Sequence, residues 1–154
     1  MSEKIKLAEA LSQRKDLQKR IEQLKDRIKT SVKVQEGDAP LEDPKELAEE
    51  MDRCLKRLEW LIYHINITNT QTLVEGKSLT ELMAKKEVLT KCIEAKREIV
   101  NHASELFDRY SRNEIKYVIT IDIKASRKEL DNYSQELREL DMKIQSANYS
   151  TDLL

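Results

Sequence analysis

Four stretches of this chain place apolar residues at alternating spacings of three and four, and that pattern restricts the fold more than any other feature. The first stretch holds Leu7, Ala10, Leu17, Ile21, Leu24 and Ile28, with Arg14 as its one polar interruption. The second holds Leu47, Met51, Cys54, Leu58, Leu61 and Ile65. The third holds Leu79, Leu82, Leu89, Ile93, Val100, Ala103 and Phe107, with Lys86 and Lys96 in register between them. The fourth holds Ile123, Leu130, Tyr133, Leu137, Leu140, Ile144 and Ala147. This spacing collects side chains on one face of an α-helix. Leu11, Leu55, Ile62 and Ile99 widen the stripe beyond the narrow seam of a two-stranded coil. The expectation is a mainly all-α chain, folded as an antiparallel four-helix bundle with long coiled-coil-like helices. One domain spans residues 1–154.

The joints are marked in the residues between. Gly37, Pro40, Pro44 and Gly76 are the only glycines and prolines, and none falls inside a helical stretch. Asp43-Pro44-Lys45-Glu46 offers an N-cap carboxylate, a proline at the first helical position and a glutamate three residues after the cap. Ser78-Leu79-Thr80-Glu81 is a capping box, and Asp122 can cap the last helix. These signals predict helices near 3–31, 44–71, 79–108 and 123–147. Charge predicts that the first two form a hairpin. Lys25, Arg27, Lys29 and Lys33 make the end of helix one basic, while Glu36, Asp38, Glu42, Asp43, Glu46, Glu49, Glu50 and Asp52 make the linker and the start of helix two acidic. Antiparallel packing brings the two groups together and suits both helix dipoles.

One stretch keeps a different period. In Asn113–Ile123, Ile115, Tyr117, Ile119, Ile121 and Ile123 recur at every second residue, the spacing of a strand. A lone strand leaves backbone groups unpaired. In an up-down-up-down bundle the first and third connections share a pole, and the first contains the short alternating run Ser31–Gln35. Pairing of 31–35 with 115–121, as a small two-stranded β element at that pole, is therefore expected. The competing expectation is a loop over 113–121.

Composition narrows the function classes. The chain has 154 residues, 37% of them charged, and a formal net charge of −1, so no global field draws nucleic acid or an anionic membrane. Its basic first helix has no stacking rings, which makes nucleic acid an improbable partner. No apolar run approaches the roughly 18 residues of a membrane span, and the start reads as an amphipathic helix without an apolar signal core. Cys54 and Cys92 read as two unlinked, buried thiols in a reducing compartment, giving the cytoplasm as the expected address. No cofactor motif appears: both glycines are isolated, and there is no CxxC or Cys–His pairing. Bundle di-iron sites need Glu-x-x-His motifs, and neither His64 nor His102 has a glutamate three residues before it. Glu98, His102 and Glu105 share a helix face, but such spacing arises by chance in a chain this charged, so no metal is assigned.

Two polar clusters remain. Asn66, Thr68, Asn69, Thr70, Gln71 and Thr72, with Asn148 and Tyr149, read as capping and fraying of helix ends. The other cluster contains Arg109, Tyr110, Arg112 and Glu114, expected at the same pole as Gln35 and Glu36. Two forked guanidiniums beside a phenol suit an anion or an acidic partner segment. These six residues are the candidate binding site, with a structural role for the same ion pairs as the competing reading.

Several short motifs occur together in one order: Leu17-Gln18-Lys19-Arg20-Ile21, Val34-Gln35-Glu36-Gly37, Glu42-Asp43-Pro44, Ile65-Asn66 with Thr68-Asn69, and Arg109-Tyr110-Ser111-Arg112 with Glu114-Ile115-Lys116. With Arg138-Glu139-Leu140-Asp141, Ile144-Gln145 and Asn148-Tyr149, they resemble a bacterial family of uncharacterised helical proteins, some members of which carry the name septicolysin. The resemblance spans nearly the whole chain and departs from the family pattern at Asn113, where Ser is expected, and Tyr149, where Trp is expected. It implies a bacterial, cytosolic, helical protein and supplies no reaction or catalytic residues. A structural or interaction protein that forms a homo-oligomer is the leading expectation. It has a protein or small anionic partner at the Arg109–Glu114 pole. The alternative is an enzyme or a binder of a small anionic ligand, or less favourably a metal, at the same place.

Overall fold

The computed structural model describes residues 4–105 and 116–154. These are mainly helical: α1 is Leu7–Ser31, α2 is Pro44–Gln71, α3 is Leu79–Glu105 and α4 is Ile123–Ser150. Two short strands, β1 (Leu73–Val74) and β2 (Lys77–Ser78), lie between α2 and α3. The chain divides into two compact units. One comprises the residues up to Thr72 together with Ala147–Leu154, and the other comprises Leu73–Ser146.

In the first unit α1 and α2 run antiparallel, and two cross-helix contacts, with a third to the joint just before α2, show the register. Arg57 Nη2 donates to Gln13 Oε1 at 3.0 Å, Arg20 Nη2 to Glu50 Oε1 at 2.6 Å, and Arg27 pairs with Glu42. Positions 13, 20 and 27 climb α1 by sevens while their partners at 57, 50 and 42 descend. The heptad that lines up the apolar face therefore also lines up the polar flank. The Arg27 hydrogen bond holds the Glu42 carboxyl below its ordinary pKa. Leu7, Ala10 and Leu24 of α1 and Leu47, Leu61 and Ile65 of α2 are buried, whereas Leu17, Ile21 and Ile28 are half-buried.

The caps follow the local sequence. Asp43 Oδ1 accepts from Lys45 N at 2.9 Å with Pro44 next to it, and Ser78 Oγ accepts from Glu81 N at 3.2 Å. The start of α1 is different, because Lys6 offers no side-chain cap. Its first amide is satisfied from far along the chain instead, with Leu7 N donating to Thr151 O at 2.8 Å. Leu153 N then donates to Ile5 O at 2.9 Å, and Lys6 Nζ bonds Asp152 Oδ1 at 2.7 Å, which pulls the Asp152 carboxyl below its ordinary pKa. The same tail reaches α2: Leu154 N donates to Thr68 Oγ1 at 3.0 Å, Thr68 Oγ1 donates to His64 O at 2.7 Å, and His64 Nδ1 lies 2.5 Å from Leu154 O. Thr68, Asn69 and Asn148 are buried. Thr68 of the polar cluster at the end of α2 thus seats Leu154, while Asn66, Thr70 and Gln71 stay exposed.

In the second unit α3 and α4 are also antiparallel. Lys86 pairs with Asp141 at 2.5 Å and Lys96 with Glu129 at 3.0 Å. Leu79, Leu82, Leu89, Ile93 and Val100 of α3 and Leu140 and Ile144 of α4 are buried.

The expected sheet is not found. Ser31 ends α1, Val32 N is used on Ile28 O, and the chain then turns, with Asp38 N donating to Gln35 O at 3.0 Å. Within 116–121 there is no strand, and residues 113–115 lie outside the described residues. Among the described residues, the sheet is instead β1–β2, with Leu73 opposite Ser78 and Val74 opposite Lys77. Its two-residue turn has Glu75 at φ 51° and Gly76 at φ 82°, the pair of positive values that a type I′ hairpin requires. A strand is defined by its partner, and here a two-residue turn brings the two residue pairs together locally. Glu75, a residue poorly suited to this conformation, bonds Lys143 Nζ at 2.9 Å.

Two predictions follow from this packing. Leu61→Ala, which empties a fully buried position, lowers the unfolding free energy by about 2–5 kcal/mol. Arg20→Ala breaks a partly exposed pair and costs about 0.2–1 kcal/mol. Urea denaturation of both variants, followed by circular dichroism, measures the contrast. Glu75→Asn, by contrast, raises stability. Relief of the left-handed backbone penalty, about 1–2 kcal/mol, exceeds the loss of an exposed ion pair, about 0.2–1 kcal/mol. A fall in melting temperature for this variant contradicts the turn assignment.

Candidate functional site

Within the second unit, the last turns of α3 and the segment that leads into α4 enclose a hollow of about 250 Å³. Its lining is Ile99, His102 and Ala103 on one side and Tyr117, Val118, Ile119, Thr120 and Ile121 on the other. Residues 99 and 103 lie one helical turn apart and 102 lies beside them, so one face of α3 supplies the first wall. The second wall is the stretch whose period-two pattern predicts a strand. Here it is neither helix nor strand, and it bends at Ile121 just before Asp122 caps α4, Asp122 Oδ1 accepting from Ala125 N at 3.0 Å.

The surface around this hollow is unusually apolar for a chain with 37% charged residues. Val118 is 80% exposed, Tyr117 63%, Ile99 59% and Ile121 39%, while Ile119 is half-buried. Among the described residues, no backbone hydrogen bond joins Tyr117–Ile121 to another segment. This wall therefore presents apolar side chains and, among the described residues, peptide groups without a backbone partner. One turn earlier on α3, Lys96 bonds Glu129 and its ammonium stands 5.7 Å from the Tyr133 ring centre. The Lys96 bond lowers the Glu129 carboxyl, and the hydrogen bond to Glu129 raises the Tyr133 phenol. His102 lines the hollow, and among the described residues no three His, Cys, Asp or Glu side chains converge as metal ligands. Cys54 and Cys92 are unlinked and half-buried.

Of the residues singled out by sequence, Arg109, Tyr110, Arg112 and Glu114 lie outside the described residues. Gln35 and Glu36 are exposed in the turn between α1 and α2. Gln35 borders a separate groove of about 550 Å³ with Arg27, Val34, Asp38 and Pro40. The hollow itself had a partial signal in the sequence: Ile99 stands off the helical seam, and 117–121 alternate. Nothing in the sequence indicated that the segment stays unpaired against the end of α3.

The geometry defines a mainly helical protein built from antiparallel helical hairpins, with an apolar hollow. Residues 14–153 match a family of unknown function, DUF6847, and the chain belongs to that family. It is similar to a solved structure described as a functionally unknown conserved protein from Corynebacterium diphtheriae. The two are 37% identical, the match covers 99% of this chain and 100% of that one, and the TM-score is 0.93. No curated protein matches the chain. Among the described residues, no helix is long and apolar enough to cross a membrane.

Because Asp122 holds the first turn of α4 beside the hollow, Asp122→Ala costs about 0.5–2 kcal/mol. Amide exchange at Ala125 and Ser126 speeds up selectively, and an unchanged exchange pattern rejects this role for the cap.

Proposed function

We propose that this protein is a structural or interaction module of the bacterial cytoplasm. In this reading its four helices form one antiparallel bundle, and copies of it associate with one another. Four helices of 25, 28, 27 and 28 residues, each with an apolar face wider than a two-stranded seam, support the bundle. The observation that carries the self-association is the exposed apolar surface at Ile99, Tyr117, Val118 and Ile121, with Leu55, Ile62 and Tyr63 exposed on α2 as a second group. Contiguous apolar surface on a highly charged chain marks an interaction site. Arg109, Tyr110, Arg112 and Glu114, and separately Gln35 and Glu36, are proposed to engage an acidic protein segment or a small anion. The support is chemical: two permanently charged forked donors lie within four residues of each other in the chain.

Sedimentation velocity and native mass spectrometry test the association. A dimer or larger assembly at protein concentrations of about tens of micromolar is expected, a strength equivalent to roughly −6 kcal/mol or better. A monomer throughout that range rejects the reading.

A further inference from the structure

We propose that Tyr117–Ile121 is where two copies of this chain meet, pairing as antiparallel strands about a two-fold axis at Ile119. This rests on the self-association proposed above and gives it a location. Three observations carry the inference. The segment has the residue types and alternation of a strand, Tyr-Val-Ile-Thr-Ile, yet among the described residues its backbone makes no hydrogen bond to any other segment. Tyr117, Val118 and Ile121 are exposed beside the exposed Ile99, with Ile119 half-buried between them, so a partner strand would cover apolar surface as well as satisfy peptide groups. Unpaired strand edges of this kind recruit another strand.

The third observation identifies the partner as a second copy. Antiparallel pairing about Ile119 sets Ile119 opposite its own counterpart, Tyr117 opposite Ile121 of the second copy, and Val118 opposite Thr120. The aromatic and β-branched pairs that result are the kinds that stabilise sheets. The same register sets Lys116 opposite Asp122 of the second copy, twice per dimer by symmetry, and both are exposed. A shift of one residue in either direction loses that charge match and sets Ile119 against Val118 or Thr120, residues of the opposite strand face. The carboxylate of Asp122 that caps Ala125 N can accept this further bond, because a carboxylate has several acceptor positions. A two-stranded ribbon alone is marginal in water. Here the hollow and Ile99 add apolar surface behind it.

The test uses the full chain. Val118→Pro and Ile119→Pro are made separately, since one of these two amides faces the partner whichever hydrogen-bonding phase the ribbon adopts. Lys116→Glu is made to replace attraction by repulsion at both ends. Sedimentation gives the assembly state and circular dichroism the helix content. The wild type is expected to dimerise. At least one proline variant should then raise the dimer dissociation constant about tenfold or more with helix content retained, and Lys116→Glu should raise it several-fold. If a proline variant loses helix, Lys116→Glu carries the test by itself. Register is read by oxidative cross-linking in chains whose two native cysteines are replaced by alanine. Ile119→Cys should link to itself, whereas Tyr117→Cys should link only when mixed with Ile121→Cys. A wild-type dimer that survives all three variants overturns this inference and leaves self-association through another face standing. Self-linking at 117 with none at 119 overturns the register. A monomeric wild type overturns both the inference and the reading it rests on.

Discussion

The rest of the structure depends on the fact that a helix of 25–28 residues with one apolar stripe cannot bury that stripe alone. Each stripe must face another helix, and in each unit that partner is the antiparallel neighbour. In the first unit that requirement places Leu24, Leu61 and Ile65 out of solvent, and in the second it does the same for Leu79, Leu89 and Ile144. Full burial of one such side chain contributes about 1.5–3 kcal/mol. An exposed ion pair contributes about 0.2–1 kcal/mol. The apolar seams therefore supply the stability, while the flanking pairs, Arg20–Glu50 and Arg27–Glu42 in one hairpin and Lys86–Asp141 and Lys96–Glu129 in the other, select orientation and register.

Two places in the fold use chain distant in sequence to satisfy local polar groups. The uncapped start of α1 takes its acceptor from Thr151, and Thr68, fully buried near the end of α2, is both donor to His64 O and acceptor for Leu154 N. Burying a hydroxyl without such partners costs roughly 1–3 kcal/mol, so the polar residues at this end bind the tail of the chain to both helices. The period-two segment before α4 is the opposite case. Its Ile119 is half-buried, but its peptide groups find no strand within the described residues, and Tyr117 and Val118 remain in solvent.

The helices were legible because their signals are local. Asp43-Pro44, Ser78 and Asp122 start helices through contacts spanning three residues or fewer, each cap side chain accepting from a backbone amide of the first turn. Gly76 was legible as a joint, but not as the second residue of a hairpin turn, since Glu75 gives no sign of its positive φ. The strand was the principal misreading. Alternation in 115–121 and 31–35 correctly reports β-capable residues, but pairing depends on which backbone groups are still free. Val32 N–H and Gln35 C=O had already found partners within their own turn.

Periodicity, capping residues and the positions of two glycines and two prolines were enough by themselves to determine four helices and the starts of α2, α3 and α4, because these features act over one or two turns of chain; α1 begins four residues later and α4 ends three residues later than the sequence predicts. Tertiary structure alone decided that the last four residues close the start of α1, that Thr68 and Asn69 are buried rather than frayed, and that Tyr117–Ile121 lies open beside Ile99. Each of these depends on groups brought together from distant parts of the chain. Hydrogen bonds and burial are properties of such meetings, and no spacing within one segment encodes them.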